Sequence, residues 1–251
     1  MSQQAWLHVL WSCLAAAGWL AVYRLPLARP RTRQRFRLWV SSTTGMPPRL
    51  VFPIVGTVIY LVAAVAAAAA VMVASGPSLD VLAVRADWRI LPVTVLAILG
   101  SAAMTAFAML VAYTVRPTAD IAGAVSTVEW ISQVMVLPVQ WRWIVPASSA
   151  AAEEFFFRGV LCGGLLFLGA PAWVAVLVSA VVFTVGQVLL TENRLQSMVL
   201  AVSSVVISGF GGLLVVTTGS VLPAIVMHAS FAAFYTNTGG SASGRPAVPV
   251  R

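Results

Sequence analysis

Runs of about 20 apolar residues recur along this chain, and a run of that length spans the hydrocarbon core of a bilayer as a helix. Hydrophobic residues make up 60% of the sequence and charged residues only 9%, where a soluble domain carries about 25% charged residues. In lipid each backbone N–H and C=O must find its partner within the protein, which leaves helices or closed barrels as spanning structures. Continuous apolar runs, without strand-like alternation, select helices. The sequence therefore predicts an all-α, polytopic membrane helical bundle: a multi-pass integral protein of the cell membrane.

Seven or eight segments qualify as spans. They run over Trp6–Tyr23, Leu50–Ala74, Ile90–Val115, Ile121–Val139, Trp143–Leu168, Ala172–Leu190, Leu195–Thr217 and Val221–Tyr235. The fourth is the weakest, because it carries Glu129. Helix breakers fall between segments at Gly76-Pro77, Arg116-Pro117, Gly169-Ala170-Pro171 and Thr217-Thr218-Gly219-Ser220. Trp88, Trp130, Trp141, Trp143 and Trp173 lie near predicted ends, as an interfacial belt requires. Residues 1–235 are expected to form a single membrane domain, with a Gly-, Ser- and Pro-rich disordered tail over 236–251. Trp6 to Val22 lacks the positive start and cleavage site of a signal peptide, so a retained helix is expected.

The net charge is +8, and every basic residue is arginine. Six arginines fall between Arg24 and Arg37, directly after the first apolar segment. That cluster marks residues 24–37 as a cytoplasmic loop attracted to anionic membrane lipid. No aromatic-basic module accompanies it, so nucleic acid is not an expected partner. With this loop inside, the N-terminus lies outside, and eight spans place the C-terminus outside as well. If the fourth segment does not cross, everything after it is inverted. Cys13 and Cys162 sit within apolar segments without a CxxC or Cys/His cluster, and read as small buried hydrophobes.

Charge inside an apolar segment is costly, so an ionisable residue there is a functional candidate. Two of the seven acidic residues stand side by side in Ala151-Ala152-Glu153-Glu154-Phe155-Phe156-Phe157-Arg158-Gly159. On a helix Glu154 and Arg158 share a face, while Glu153 is rotated by about 100°. One division of labour has Arg158 hold Glu154 ionised and leaves Glu153 as general base; the converse assignment is also open, as is a purely structural Glu-Arg lock. His228 lies deep in the last segment, and Gln187 is buried in the sixth. His8, near the start of the first segment, reads as interfacial, and Glu129 and Arg142, nearer segment ends, read as interfacial or inter-helix contacts. Pro223 is expected to bend the last helix and free a carbonyl.

Glu153-Glu154-x-x-x-Arg158-Gly159 resembles the first motif of the CPBP family, the CAAX prenyl protease and bacteriocin-processing (Abi) intramembrane endopeptidases. The resemblance covers about residues 143–235. Phe183 to Gln187 falls where the family has its Phe-x-x-x-His motif. Gly219-Ser220, Pro223 and His228 fall where it has a third motif ending His-x-x-x-Asn. The resemblance implies a bacterial intramembrane endopeptidase that hydrolyses a peptide or protein substrate with glutamate-activated water. Carried over, Glu153 is the base, Glu154 and Arg158 support it, and His228 donates to the oxyanion. Two positions depart from the pattern: the second-motif histidine is Gln187 and the third-motif asparagine is Ala232. Glutamine cannot take and return a proton near neutral pH. Ser230 and Asn237 are polar neighbours of the lost asparagine, at other spacings. A catalytic zinc takes three protein ligands, and the motifs supply only Glu153, Glu154 and His228, so tight zinc binding is not expected; weak binding of a divalent metal by these three stays open, and no cofactor is predicted. The alternative to catalysis is an impaired homologue serving as a membrane binding, immunity or regulatory scaffold. A proton-coupled transporter is a third reading, which no repeat or broken-helix pair supports.

Overall fold

A computed structural model describes residues 1–24, 29–76 and 84–242, with side chains as far as 234. Among these residues helix is the dominant structure and there is no strand. Helix α1 (Gln3–Arg24) is followed by α2 (Pro30–Thr44), α3 (Thr57–Ser75) and α4 (Leu91–Val115). Two short helices, α5 (Ile121–Ser126) and α6 (Glu129–Val134), lead to α7 (Ile144–Glu154). A π-helix (Phe155–Gly163) carries α7 directly into α8 (Gly164–Phe167). Helices α9 (Ala172–Leu189), α10 (Arg194–Thr218) and α11 (Leu222–Ala242) complete the bundle.

Five helices among the described residues are long and apolar enough to cross a membrane: Gln3–Arg24, Pro48–Ser75, Trp88–Val115, Ala172–Leu189 and Arg194–Thr218. The fourth, fifth and eighth predicted segments are not among them, and the fourth is divided by its own sequence. Asp120 caps α5 by accepting from the Gly123 N–H at 2.8 Å, and the chain breaks helix at Thr127–Val128 before α6 begins. Two helices of six residues each fall well short of the ~20 that a span needs. The arginine-rich stretch also differs from the expected loop, because residues from Pro30 onward form α2. Its Arg33 ion-pairs with Glu129 of α6, and the Arg33 and Arg37 guanidiniums stand over the Phe52 ring at 4.9 and 5.3 Å. Residues 25–28 of that stretch, 77–83 of the following loop and 243–251 of the tail lie outside the described residues. Helix α11 continues to Ala242, past the residue where the tail was expected to start.

The punctuation falls as the sequence predicts. Gly76, Gly169 and Gly219 all adopt positive φ at helix ends, a conformation that costs glycine little. Pro223 does not bend a helix. It is the second residue of α11, where its missing N–H is one of the donors left unpaired at any helix start. Trp88, Trp141, Trp143 and Trp173 are exposed, whereas Trp130 turns inward and lines a cavity.

The π-helix is the centre of the packing. It lies against α9, α3 and α10, and Phe156, Val160, Leu161 and Leu165 in and after it are fully buried. Its wide turns leave carbonyls open to side chains from other helices. Ser179 of α9 donates to the Phe157 carbonyl at 2.7 Å. His8 of α1 reaches the Val160 carbonyl through Nε2 at 3.0 Å and Ser75 Oγ through Nδ1 at 2.7 Å. His8 is therefore fully buried rather than interfacial: one imidazole ties α1, α3 and the π-helix together. Gly164 makes room for it, since a Cβ there would run into the ring. His8→Ala is expected to lower the thermal unfolding midpoint in detergent, because an unsatisfied buried polar group costs about 1–3 kcal/mol. An unchanged midpoint would show that this staple does not support the bundle.

Candidate active site

The double glutamate stands at the junction of α7 and the π-helix, and its two carboxylates face different partners. Glu154 is completely buried, and Arg158 is 1% exposed. The Arg158 Nε lies 3.1 Å from Glu154 Oε2. The other Glu154 oxygen, Oε1, lies 2.8 Å from His228 Nδ1 of α11. Arg158 further donates from Nη2 to Ser208 Oγ of α10 at 2.8 Å, and its guanidinium stands over the Phe183 ring of α9 at 4.7 Å. The same ring meets the His228 imidazole edge to face at 5.8 Å. Gly211 lets α10 approach this pair, because a Cβ there would sit 3.1 Å from Glu154 Oε2. A buried charge is tolerable only when it is paired and hydrogen-bonded; three helices supply contacts to this pair, while Glu154 Oε2 and Arg158 Nη1 have no hydrogen bond among the described residues.

Glu153 is less enclosed, at 9% exposure. Its Oε1 accepts from the Tyr60 hydroxyl at 2.6 Å and from Gln187 Nε2 at 3.3 Å. Its Oε2 lies 3.9 Å from His228 Nε2, beyond direct hydrogen-bond reach. A carboxylate only accepts, so Glu154 takes its hydrogen bond from Nδ1–H of His228 and leaves Nε2 turned toward Glu153. Glu153, Gln187, His228 and Ala232 all line one cavity of about 690 Å³. Its walls come from α3, α4, the short helices α5 and α6, α7, and the last three helices. Such a space is in the range of small-molecule and substrate sites, about 300–1,000 Å³.

The structure thus brings together every residue that the sequence singled out for the site, namely Glu153, Glu154, Arg158, Gln187 and His228. It adds two that the motifs did not contain. Tyr60 comes from α3 and Ser208 from α10, and each contributes a hydroxyl to the charged cluster. A lone tyrosine in the alanine-rich second segment was the available signal, since a buried phenol needs a polar partner. Ser230 does not take the place of the lost asparagine: its Oγ donates back to the Val226 carbonyl at 2.7 Å. The Asn237 side chain lies outside the described residues. Arg142 donates from Nε to the Leu137 carbonyl at 2.8 Å, away from the site.

Among the described residues no group of three or more His, Cys, Asp or Glu side chains is arranged to hold a metal ion. Glu154 is committed to Arg158 and His228, which leaves Glu153 Oε2 and His228 Nε2 as donors. Two donors do not fit a catalytic zinc, which takes three.

Removing Arg158 would strand a buried carboxylate. Arg158→Met is expected to destabilise the fold by about 3–5 kcal/mol, the usual range for breaking a buried pair. Adding Glu154→Gln should recover part of that loss in a double-mutant cycle of unfolding free energies. Strictly additive losses would contradict a coupled pair.

Residues 135–234 match the family model of the type II CAAX prenyl endopeptidase Rce1-like proteins. Neither the curated proteins nor the solved structures searched include a match. The matched stretch holds Glu153, Glu154, Arg158, Gln187 and His228 together, and Tyr60 lies outside it. That match, over residues 135–234, agrees with the similarity to the CPBP family that the Glu153-Glu154-x-x-x-Arg158 motif carries.

Proposed function

We propose that the protein is an intramembrane endopeptidase that hydrolyses a peptide or protein substrate with water activated by Glu153. The observation that carries this reading is the convergence of Glu153, Gln187 and His228 on one cavity. Glu153 takes a proton from water while the water oxygen bonds to the scissile carbonyl carbon and the carbonyl electron pair moves to oxygen. The same proton then passes to the amide nitrogen as the C–N bond breaks, giving a carboxylic acid and an amine. His228 stabilises the oxyanion from Nε2, with Nδ1 held by Glu154. Gln187 holds Glu153 by a hydrogen bond and exchanges no proton. Arg158 acts through Glu154. No step requires a metal.

The test uses purified protein in proteoliposomes and a fluorescence-quenched peptide library, with and without C-terminal prenyl groups. Glu153→Gln is expected to lower the turnover number by about 10²–10⁴, the usual contribution of a general base. Undiminished cleavage would remove Glu153 from the mechanism.

A second reading, the catalytically impaired membrane scaffold, is favoured by two positions: an amide at 187 and a methyl at 232. Loss of one oxyanion donor costs about 10²–10³ in rate. If the wild type cleaves nothing and Gln187→His with Ala232→Asn restores cleavage, the scaffold reading holds. An active wild type rules it out.

A further inference from the structure

Tyr60 sits on α3, far in sequence from the matched stretch, and yet its hydroxyl makes the shortest polar contact to Glu153, 2.6 Å to Oε1. Everything else about the residue is devoted to holding that hydroxyl still. The ring packs on Trp19 at 4.7 Å and on Tyr23 at 5.1 Å. The Tyr60 carbonyl accepts from Trp19 Nε1 at 3.0 Å, and Trp19 in turn contacts Phe156 and Phe157 of the π-helix at 5.6 and 6.2 Å. A phenylalanine would fill the same aromatic box. The hydroxyl therefore adds nothing to the packing, and burying it without a partner would cost free energy. Its polar partner is Glu153.

The two carboxylate oxygens of Glu153 consequently differ. Oε1 takes two donors, Tyr60 and Gln187. Oε2 faces His228 Nε2 at 3.9 Å. A carboxylate with one oxygen tied down cannot rotate to present either oxygen at will. Tyr60 and Gln187 also both line a second, apolar space of about 300 Å³ between α1 and α9, so this pair forms the wall against which Glu153 is set.

We infer that Tyr60 is a positioning residue of the active site, fixing Oε1 of Glu153 so that Oε2 is the oxygen that receives the proton from water. The N-terminal half of the chain thereby completes a site whose motifs all lie in the C-terminal half. The donor from α3 also offsets the change at Gln187, whose amide contact to the same oxygen is the longer of the two. This inference rests on the hydrolase reading above.

The experiment pairs two measurements on full-length protein in proteoliposomes. The first is steady-state cleavage of the prenylated and plain peptide library by wild type and Tyr60→Phe. The second is infrared difference spectroscopy of the Glu153 carboxyl, identified by its absence in Glu153→Gln. Tyr60→Phe is expected to keep the unfolding midpoint and KM, lower kcat by about tenfold to a hundredfold, as misplacement of a reacting group does, and shift the Glu153 band. Fluorotyrosine at position 60 keeps the donor and should keep most of kcat. An unchanged kcat in Tyr60→Phe beside an active wild type overturns the inference, and so does an unchanged Glu153 band. A wild type that cleaves no peptide counts against the hydrolase reading instead, while the band in Tyr60→Phe still decides whether the phenol holds Glu153.

Discussion

The contact on which the rest depends is the buried pair of Glu154 with Arg158, extended to His228. Two fully enclosed charges at the centre of an apolar bundle are sustained only by one another and by the groups around them. Those groups come from separate helices: Ser208 from α10, His228 from α11 and the Phe183 ring from α9. The pair therefore fixes where three helices stand relative to the π-helix. It also fixes His228, whose Nδ1 is bound to Glu154 and whose Nε2 is thereby turned toward Glu153. Stability and site geometry meet in the same atoms.

The π-helix explains how one short segment can serve both purposes. Its buried side chains pack into the α1, α3 and α9 core, while its open carbonyls accept from His8 and Ser179. Wide helical turns of this kind cluster at functional sites elsewhere. Here the wide turn follows immediately after Glu154, so the two glutamates stand on a regular helix and Arg158 on the wider one. Close helix approach completes the arrangement at Gly211 and Gly212, where an added Cβ would press on the charged pair and on Val176.

The charged part of the site is legible in the sequence because charge is so rare there. Glu153, Glu154 and Arg158 stand out against apolar neighbours, and the i, i+4 spacing already gives the pair. Gln187 and His228 follow from motif spacing. Tyr60 is hidden for the opposite reason: tyrosine is an ordinary resident of an apolar helix, and only the fold reveals that its hydroxyl ends at Glu153. His8 reads as interfacial because it lies near a chain end, yet α1 is deep enough in the bundle to bury it. The fourth segment reads as a span from its apolar residues alone. Its cap at Asp120 and its break at Thr127–Val128 divide it into two short helices that help wall the cavity. Polarity and spacing were visible along the chain; burial and partnership were set by packing between distant segments.

The central claim is that Glu153 activates a water molecule for attack on a peptide carbonyl. It is tested most directly by running the cleavage in water enriched in heavy oxygen and weighing the products. The account predicts one heavy oxygen in the newly formed carboxyl group of the wild-type product and almost no product from Glu153→Gln. Label-bearing product formed at the wild-type rate by Glu153→Gln would contradict it.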